Sequence, residues 1–432
     1  MGGTYSAGMA MVVVLLGLLA LRVPIAFGLA ASGIVGLMIE RPWRAIEFLL
    51  SNVAYANSAE FGFVVMPLFL FMGHMAFSAG LSARAYEAGQ KLLGRVHGGL
   101  AIATVFACAA FGTICGSSVA TAATFARVAL PEMLEKGYKE SLATGCVASG
   151  GTLGALIPPS GILILYAIVT QVPISKLFLA AFIPGILTAV VYIIGILIMV
   201  KWKPHLAGPK PTERYTVREK ARAVVNMWEV ILLFLLVMGS IYTGLATPTE
   251  AAAVGALLSL VAVLRRPKPM AHVKEGLMQT GATTSSIFAL IIGAGLFSLA
   301  LTTTQAAQEL VQYITSLKLS PTQLLLLLLI PYFVLGCFLD GVSLLLITVP
   351  IAFPIVQAAG IHPVLFGLLV CKLIEIGCLT PPVGLNVLVV KASHPGISLR
   401  DAFVGCAPFL LMEIVIVGLM IAFPQLSLFL IE

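Results

Sequence analysis

The sequence predicts an all-α polytopic membrane protein built as two inverted copies of one unit. Three observations predict it: composition, punctuation residues repeated at one spacing, and a charge asymmetry between loops. Of 432 residues, 60% are hydrophobic and only 10% charged, with a mean hydropathy of +1.07. Soluble domains carry about 25% charged residues, so this chain lacks the polar surface to face water. That excludes a soluble enzyme. The net charge of +7 does not mark a nucleic-acid surface, because the basic residues sit in loops between apolar segments.

Apolar stretches able to cross a hydrocarbon core of ~30 Å predict ten full spans: 6–22, 24–39, 60–79, 139–171, 176–200, 225–244, 248–264, 281–303, 363–393 and 401–424. The first is read as a retained span rather than a signal peptide, since its first charge, Arg22, follows the apolar run. Two further stretches, 98–130 and 321–357, are too long for one span. Each is interrupted, by Gly116-Ser117-Ser118 and by Asp340-Gly341. Two short helices meeting at a tip inside the membrane fit both, giving re-entrant hairpins bounded at 98–131 and 321–358. The spans at 139–171 and 363–393 are broken by Pro158-Pro159 and Pro381-Pro382, because proline lacks a donor and clashes with the preceding turn.

A basic linker, 201–222, carries Lys201, Lys203, Lys210, Arg214, Arg218, Lys220 and Arg222 and divides the chain into 1–200 and 223–432. A shift of 223 residues places Pro131 on Pro354, Gly137 on Gly360, Gly154 on Gly377, Pro158-Pro159 on Pro381-Pro382 and Gly161 on Gly384. Ser117 falls on Asp340, and Pro24 maps to Pro248 at a shift of 224. Glycine and proline carry backbone geometry, so their agreement marks an internal duplication.

Five spans and a hairpin per half is an odd number of crossings, so the second copy lies inverted. Charge agrees. Nineteen of the 25 Lys and Arg residues fall on the ends assigned to the cytoplasm: Arg22, loops 80–97, 131–140, 264–275 and 391–400, and the linker. Four (Arg41, Arg44, Lys176, Lys318) fall on the opposite ends, and Arg127 and Lys372 are intramembrane. Both termini then face the periplasm of a bacterial inner membrane.

A helix that stops inside the bilayer leaves N–H groups unpaired at one end and carbonyls at the other, and these need protein, water, ion or solute. The first half offers Gly116-Ser117-Ser118 and the run Gly150-Gly151-Thr152-Leu153-Gly154 leading to Pro158-Pro159-Ser160-Gly161. The second offers Asp340-Gly341 and the run from Gly377 through Thr380, Pro381-Pro382 and Gly384 to Asn386. Carbonyls, Thr380, Asn386 and a carboxylate make an oxygen set for a hard monovalent cation. Plainer roles stand beside these: a small-residue packing face at 116–123, simple proline kinks, and Asp340 as a helix cap. The shared spacing favours a site, as does an acid within the membrane.

Other intramembrane charges carry weaker signals. Lys372 and Glu375, three apart on one helix, suit pairing with each other. Arg127 is read as structural, the alternatives being an anionic substrate or a nearby acid as its partner. Glu413 has no evident partner, His74 reads as a packed core residue, and Glu250 suits the first turn of its helix. Seven scattered cysteines, Cys108, Cys115, Cys146, Cys337, Cys371, Cys378 and Cys406, fit no zinc spacing and read as reduced packing residues. No GxxxxGK[ST] loop, HExxH or GxSxG occurs. ATP is therefore not expected as a cofactor, and movement of solute would be passive or driven by an ion gradient.

The runs GTICGSSVATAAT (Gly112 to Thr124), GTLGALIPPS (Gly151 to Ser160) and LTPPVGLN (Leu379 to Asn386) resemble the large permease subunit of tripartite ATP-independent periplasmic (TRAP) transporters, and the resemblance covers nearly the whole chain. It implies a fold similar to elevator transporters of the ion transporter superfamily and a sodium-coupled import of organic acids: C4-dicarboxylates, 2-oxo acids or sialic acids. It implies two partners, a small four-helix membrane subunit on a separate polypeptide and a periplasmic substrate-binding protein. By motif, Ser117, Ser118, Ser160, Asp340 and Asn386 would line the substrate region. Gly116, Ser117, Gly154, Asp340, Thr380, Gly384 and Asn386 would frame sodium. Two rivals are a related anion carrier that needs no binding protein, and a membrane scaffold that transports nothing.

Overall fold

The protein is described from a computed structural model, which covers residues 2–210 and 215–432. Arg214 of the basic linker lies outside the described residues. The first half runs α1 (Gly2–Ala20), α2 (Ile25–Glu40), α3 (Trp43–Ser58), α4 (Val65–Ser78), α5 (Leu81–Leu93), α6 (Gly99–Cys115), α7 (Ser118–Val128), α8 (Leu130–Glu135), α9 (Glu140–Leu156), α10 (Gly161–Thr170) and α11 (Ile174–Trp202). The second runs α12 (Val217–Asn226), α13 (Trp228–Tyr242), α14 (Pro248–Leu264), α15 (Pro269–Thr303), α16 (Ala306–Ser316), α17 (Pro321–Gly336), α18 (Gly341–Ala358), α19 (Pro363–Leu379), α20 (Leu385–Ser393), α21 (Leu399–Ala422) and α22 (Gln425–Leu428). Among the described residues no strand occurs. The chain is an all-helical, multi-span membrane protein.

Among the described residues, six helical segments are long and apolar enough to cross a bilayer: 61–78, 140–170, 174–202, 269–303, 341–358 and 399–422. A seventh span arises if α12 and α13, bent by 49°, count as one. The remaining expected spans include α2 and α14, apolar but only 16 and 17 residues long, or about 24–26 Å at 1.5 Å per residue. Large apolar side chains face outward on several helices: Leu235 is 58% exposed, Leu257 60% and Leu411 67%. In water such a surface would be costly; in lipid it is the ordinary exterior.

Helices α3, α5, α12 and α16 lie outside the ten expected spans and the two hairpins. On α5, the buried Leu81, Ala85, Ala88 and Gly89 alternate with Arg84, Glu87 and Lys91 at helical spacing. Such an amphipathic helix has too little mean hydropathy to read as a span. The same holds for α3 and α16. In α12, Thr216 accepts the N–H of Glu219 while the Glu219 carboxylate accepts the N–H of Thr216. That reciprocal cap holds the Glu219 carboxyl below its usual range and starts a helix inside what composition marks as linker. Likewise α15 begins at Pro269 rather than 281. Its first turns carry His272, Lys274 and Glu275, so hydropathy detects only the later part of one 35-residue helix.

Packing forms two groups of helices. In one, α2 lies against α15 and α14 against α4. In the other, α9 and α19 are central: every residue from Leu142 to Leu156 and from Val364 to Leu379 is buried. Small residues make this possible in α9, where a Cβ on Gly151 would stand 2.9 Å from the Ser118 carbonyl oxygen. Around them α6 and α7 pack on α9, α17 and α18 on α19, α10 on α18 and α20 on α7. The hairpin arms of each half thus meet the second piece of the other half's broken helix.

Candidate functional site at the helix breaks

Both interruptions in the long apolar stretches are built from caps. Helix α6 ends at Gly116, whose φ of +66° is a left-handed conformation glycine adopts at little cost. A Cβ there would lie 2.9 Å from the Pro159 carbonyl oxygen. Ser117 then caps α7, its hydroxyl accepting the Ala120 N–H at 3.4 Å. Its carbonyl accepts the Thr121 N–H at 3.0 Å and hydroxyl at 2.8 Å. In the second interruption Asp340 caps α18, accepting the Ser343 N–H at 3.1 Å and the Ser343 hydroxyl.

The proline pairs lie directly behind these tips. Both Pro158-Pro159 and Pro381-Pro382 are cis. After the first, the Gly161 N–H donates to the Gly116 carbonyl at 3.0 Å; after the second, the Val383 N–H donates to the Cys337 carbonyl at 3.4 Å. Each tip is therefore stitched to the break in its own half by a backbone hydrogen bond. These are groups that helix ends leave orphaned, and part of the debt is met within the protein.

Gly116, Ser117, Ser118 and Asp340 line one cavity of about 180 Å3, together with Pro159, Gly161, Glu375, Cys378 and Leu385. Residues of α4 and α15, including Phe69 and Ile287, close its other side. The cavity therefore lies on the seam between the two groups of helices. The remaining predicted residues are not among those that line it. Ser160 is buried, caps α10 by accepting the Leu163 N–H at 3.3 Å, and donates to the Ala155 carbonyl. Gly154 packs against the Ser117 carbonyl and the Thr121 hydroxyl. Thr380 donates to the Ile376 carbonyl at 2.6 Å, and Gly384, with φ +57°, begins α20. Asn386 is fully buried and crosses to the other half, donating to the Ala148 carbonyl at 3.1 Å.

A sodium ion suits this donor set. Among the described residues the buried Asn386 Oδ1 has no hydrogen-bond partner. Hard monovalent cations take such ligands.

The structure corrects the reading of the intramembrane charges. Lys372 does not pair with Glu375. Its ammonium meets the Glu413 carboxylate and donates to the Thr188 hydroxyl at 3.1 Å. Glu413, without an evident partner in the sequence, also accepts the Tyr192 hydroxyl at 2.5 Å. Glu375 instead turns to the cavity, 1% exposed, beside the Ser118 hydroxyl. Sequence reasoning missed it because three residues on a helix share a face, which made Lys372 the obvious partner. The available signal was position: Glu375 lies just before the break, at the depth of the tips. Arg127 sits over the Phe77 ring at 5.9 Å and lines an adjoining cavity with His74, Gln279 and Ser117. Glu250 forms a reciprocal cap with Thr247.

Residues 12–426 match the DctM component of the tripartite ATP-independent periplasmic transporter family. The chain is also 34% identical over 376 residues to the C4-dicarboxylate TRAP transporter large permease protein DctM of Pseudomonas aeruginosa, covering 87% of each chain. This chain belongs to that family. Another TRAP large permease, the ectoine/5-hydroxyectoine protein UehC of Ruegeria pomeroyi, is 29% identical over 422 residues and 96% of both chains. At the level of fold, a solved structure of the YdaH transporter of Alcanivorax borkumensis superimposes with a TM-score of 0.61 over 88% of this chain and 90% of that one, at 17% identity. In this chain the cavity gathers both tips, the first proline break, residues flanking the second, and the buried Glu375 at one place.

Proposed function

We propose that this chain is the large membrane subunit of a sodium-coupled TRAP importer, and no enzyme. It would take an organic acid from a periplasmic binding protein and work with a small four-helix membrane subunit in the bacterial inner membrane. The observation that carries the reading is the convergence of both capped tips, backed by both proline breaks, on one cavity. Relatives named for C4-dicarboxylates and ectoine support a small carboxylate-bearing solute.

The inverted-repeat part of the proposal draws support from the order of helices. At a shift of 223–224 residues α1, α2, α5, α6, α9, α10 and α11 fall on α13, α14, α16, α17, α19, α20 and α21. Crosswise packing of α2 on α15 and α14 on α4, and of α7 on α20 and α10 on α18, is what a pseudo-twofold axis in the membrane plane produces. Both termini would then face the periplasm. The group centred on α9 and α19 would slide against the group of α2, α4, α14 and α15 in an elevator movement, with the amphipathic α5 and α16 as connecting arms.

In the mechanism, the solute's carboxylate meets the N–H ends of α7 and α18 and the hydroxyls of Ser117 and Ser118, where a helix terminus favours negative charge. Sodium, held by Asn386, Thr380, Asp340 and backbone carbonyls beside Gly116, Gly154 and Gly384, would supply positive charge offsetting that of the anion. Coupling requires that ion and solute each raise the other's affinity, since a ligand without differential affinity shifts no equilibrium.

Vesicles containing both membrane subunits, supplied with the binding protein loaded with its solute, test this. An inward sodium gradient should drive uptake, and Asp340→Asn should lower it at least tenfold while leaving insertion unchanged. Uptake indifferent to sodium refutes the coupling, and full activity of the variant removes Asp340 from the site.

A further inference from the structure

The cavity at the tips continues into a second one of about 260 Å3. Leu70, Cys115, Ser117 and Thr283 belong to the walls of both. Three helices lead the same way from the first to the second. On α4 the lining passes from Met66 and Phe69 to His74 and Phe77, on α15 from Ile287 to Gln279, and on α7 from Ser118 to Arg127. Each step runs toward the helix end that the charge asymmetry assigns to the cytoplasm. The second cavity is a vestibule between the tips and that face.

Its charge is the reverse of the first cavity's. The lining holds Arg127 and His74 and no carboxylate. On α7, Ser117, Ala120, Thr124 and Arg127 recur at intervals of three or four residues and so share the face that forms the wall. Arg127 is exposed, and its guanidinium stands over the Phe77 ring at 5.9 Å, a contact that orients the group without using up its N–H donors. Among the described residues no carboxylate pairs with it. Glu275 of α15 accepts the Gln279 amide at 3.1 Å and is not part of the wall.

The other copy of the repeat shows that the hairpin does not need this cation. At a shift of 223 residues Arg127 falls on Pro350, and at 224 His74 falls on Ser298. Pro350 and Ser298 line a cavity of about 320 Å3 beside α10 and α18, whose wall carries Glu60 and no Lys, Arg or His. That cavity shares no lining residue with the one at the tips. Corresponding positions thus carry basic side chains only where the wall is continuous with the site.

We propose that the vestibule is a second anion subsite, in which Arg127 takes a carboxylate of the solute once it leaves the tips toward the cytoplasm. This rests on the transport reading above and adds a step to it. The guanidinium presents a planar fork of N–H donors that fits a carboxylate. Arg127 lies roughly 15 Å from Ser117 along α7, at 1.5 Å per residue, farther than a small organic acid reaches, so the two sites are filled in turn. A partly solvated ion pair is weak, which suits a station the solute must leave. Of the residues assigned to sodium only Ser117 borders the vestibule, so an anion should bind at Arg127 without sodium.

Chemical modification of the purified complex of both membrane subunits tests the subsite without a variant and without transport. Phenylglyoxal attacks arginine side chains, and peptide mass spectrometry reads its rate at each one. The reaction is run in sodium-free choline chloride and in choline succinate or choline 2-oxoglutarate of equal ionic strength. Either dianion should slow modification of Arg127 severalfold and leave that of the exposed Arg95 unchanged. Equal slowing at both arginines, which is a bulk ionic effect, overturns the proposal, as does no slowing at Arg127. Slowing that appears only when sodium is added overturns it too, since solute at the tips would then be shielding the vestibule. The step on the way out is read in vesicles holding both membrane subunits and supplied with loaded binding protein. Arg127→Gln should raise severalfold the internal solute concentration that halves uptake, and unchanged inhibition removes Arg127 from the exit route. Uptake indifferent to sodium would sink the coupled-transport reading, whereas loss of the arginine protection sinks this inference alone.

Discussion

Lys372→Met tests the energetic centre of the molecule. The Lys372 side chain is 1% exposed and Glu413 is fully buried, so neither charge recovers solvation when its partner is removed. Methionine keeps most of the lysine's volume, and the loss is mainly electrostatic. Glu413 would be left with the Tyr192 hydroxyl as its remaining polar contact. Breaking one side of a buried ion pair costs about 3–5 kcal/mol, whereas replacing both partners by apolar groups is often nearly neutral. At ~2 °C per kcal/mol, the low end for larger domains, the single variant should melt roughly 6–10 °C lower. Lys372→Met combined with Glu413→Leu should recover more than half of that, less ~1–3 kcal/mol for the Tyr192 hydroxyl left without its charged acceptor. All seven cysteines are free and buried, so a thiol-reactive fluorescent dye reports unfolding in detergent without added labels. A single variant melting within ~2 °C of the parent, or a double variant falling by the sum of the singles, would refute the assignment of this pair as a coupled unit.

Other changes probe the tips and their supports. Gly116→Ala should cost about 1–2 kcal/mol, because an L side chain is disfavoured at φ +66° and its Cβ would press the Pro159 carbonyl; a thiol-dye melt and uptake should both fall. Asn386→Leu removes the unpartnered oxygen together with the bond from its amide to the Ala148 carbonyl, so sodium affinity should drop at least tenfold by sodium-dependent melting, with a smaller loss in sodium-free melting. Glu229 pairs with Arg84 of α5 and approaches Arg265 at 3.8 Å. Being partly solvated, this pair is worth ~1 kcal/mol or less, and Glu229→Gln should lower stability slightly, with the effect vanishing in high salt.

The sequence carried the positions where helices stop far better than the contacts those stops make. Gly116, Asp340 and the two proline pairs are legible because backbone geometry is written into glycine and proline at any burial. Amphipathic α5 and α16 escaped hydropathy because a helix that is half polar averages out, even though Leu81, Ala85 and Ala88 keep helical spacing. Side-chain partners across the fold were illegible for a different reason. Lys372 and Glu413 are 41 positions apart, and only the packing of α19 against α21 brings them together. Three residues from Lys372, Glu375 offered a local partner that the fold does not use. The hydroxyl of Ser160 was placed in the site by motif, yet its bonds to Leu163 and Ala155 show it shaping the first break rather than lining the cavity.

In the proposed elevator movement, the charge arrangement bears on what the sliding block would carry. Lys372 and Glu413 form a neutral pair inside the α9–α19 group, so moving them across the bilayer moves no net charge. Displacing one elementary charge through the full membrane potential is worth about 2.3 kcal/mol per 100 mV. A solute bearing one negative charge therefore moves inward against a negative-inside potential unless a sodium ion accompanies it, and only a second sodium would turn that potential into an aid to import.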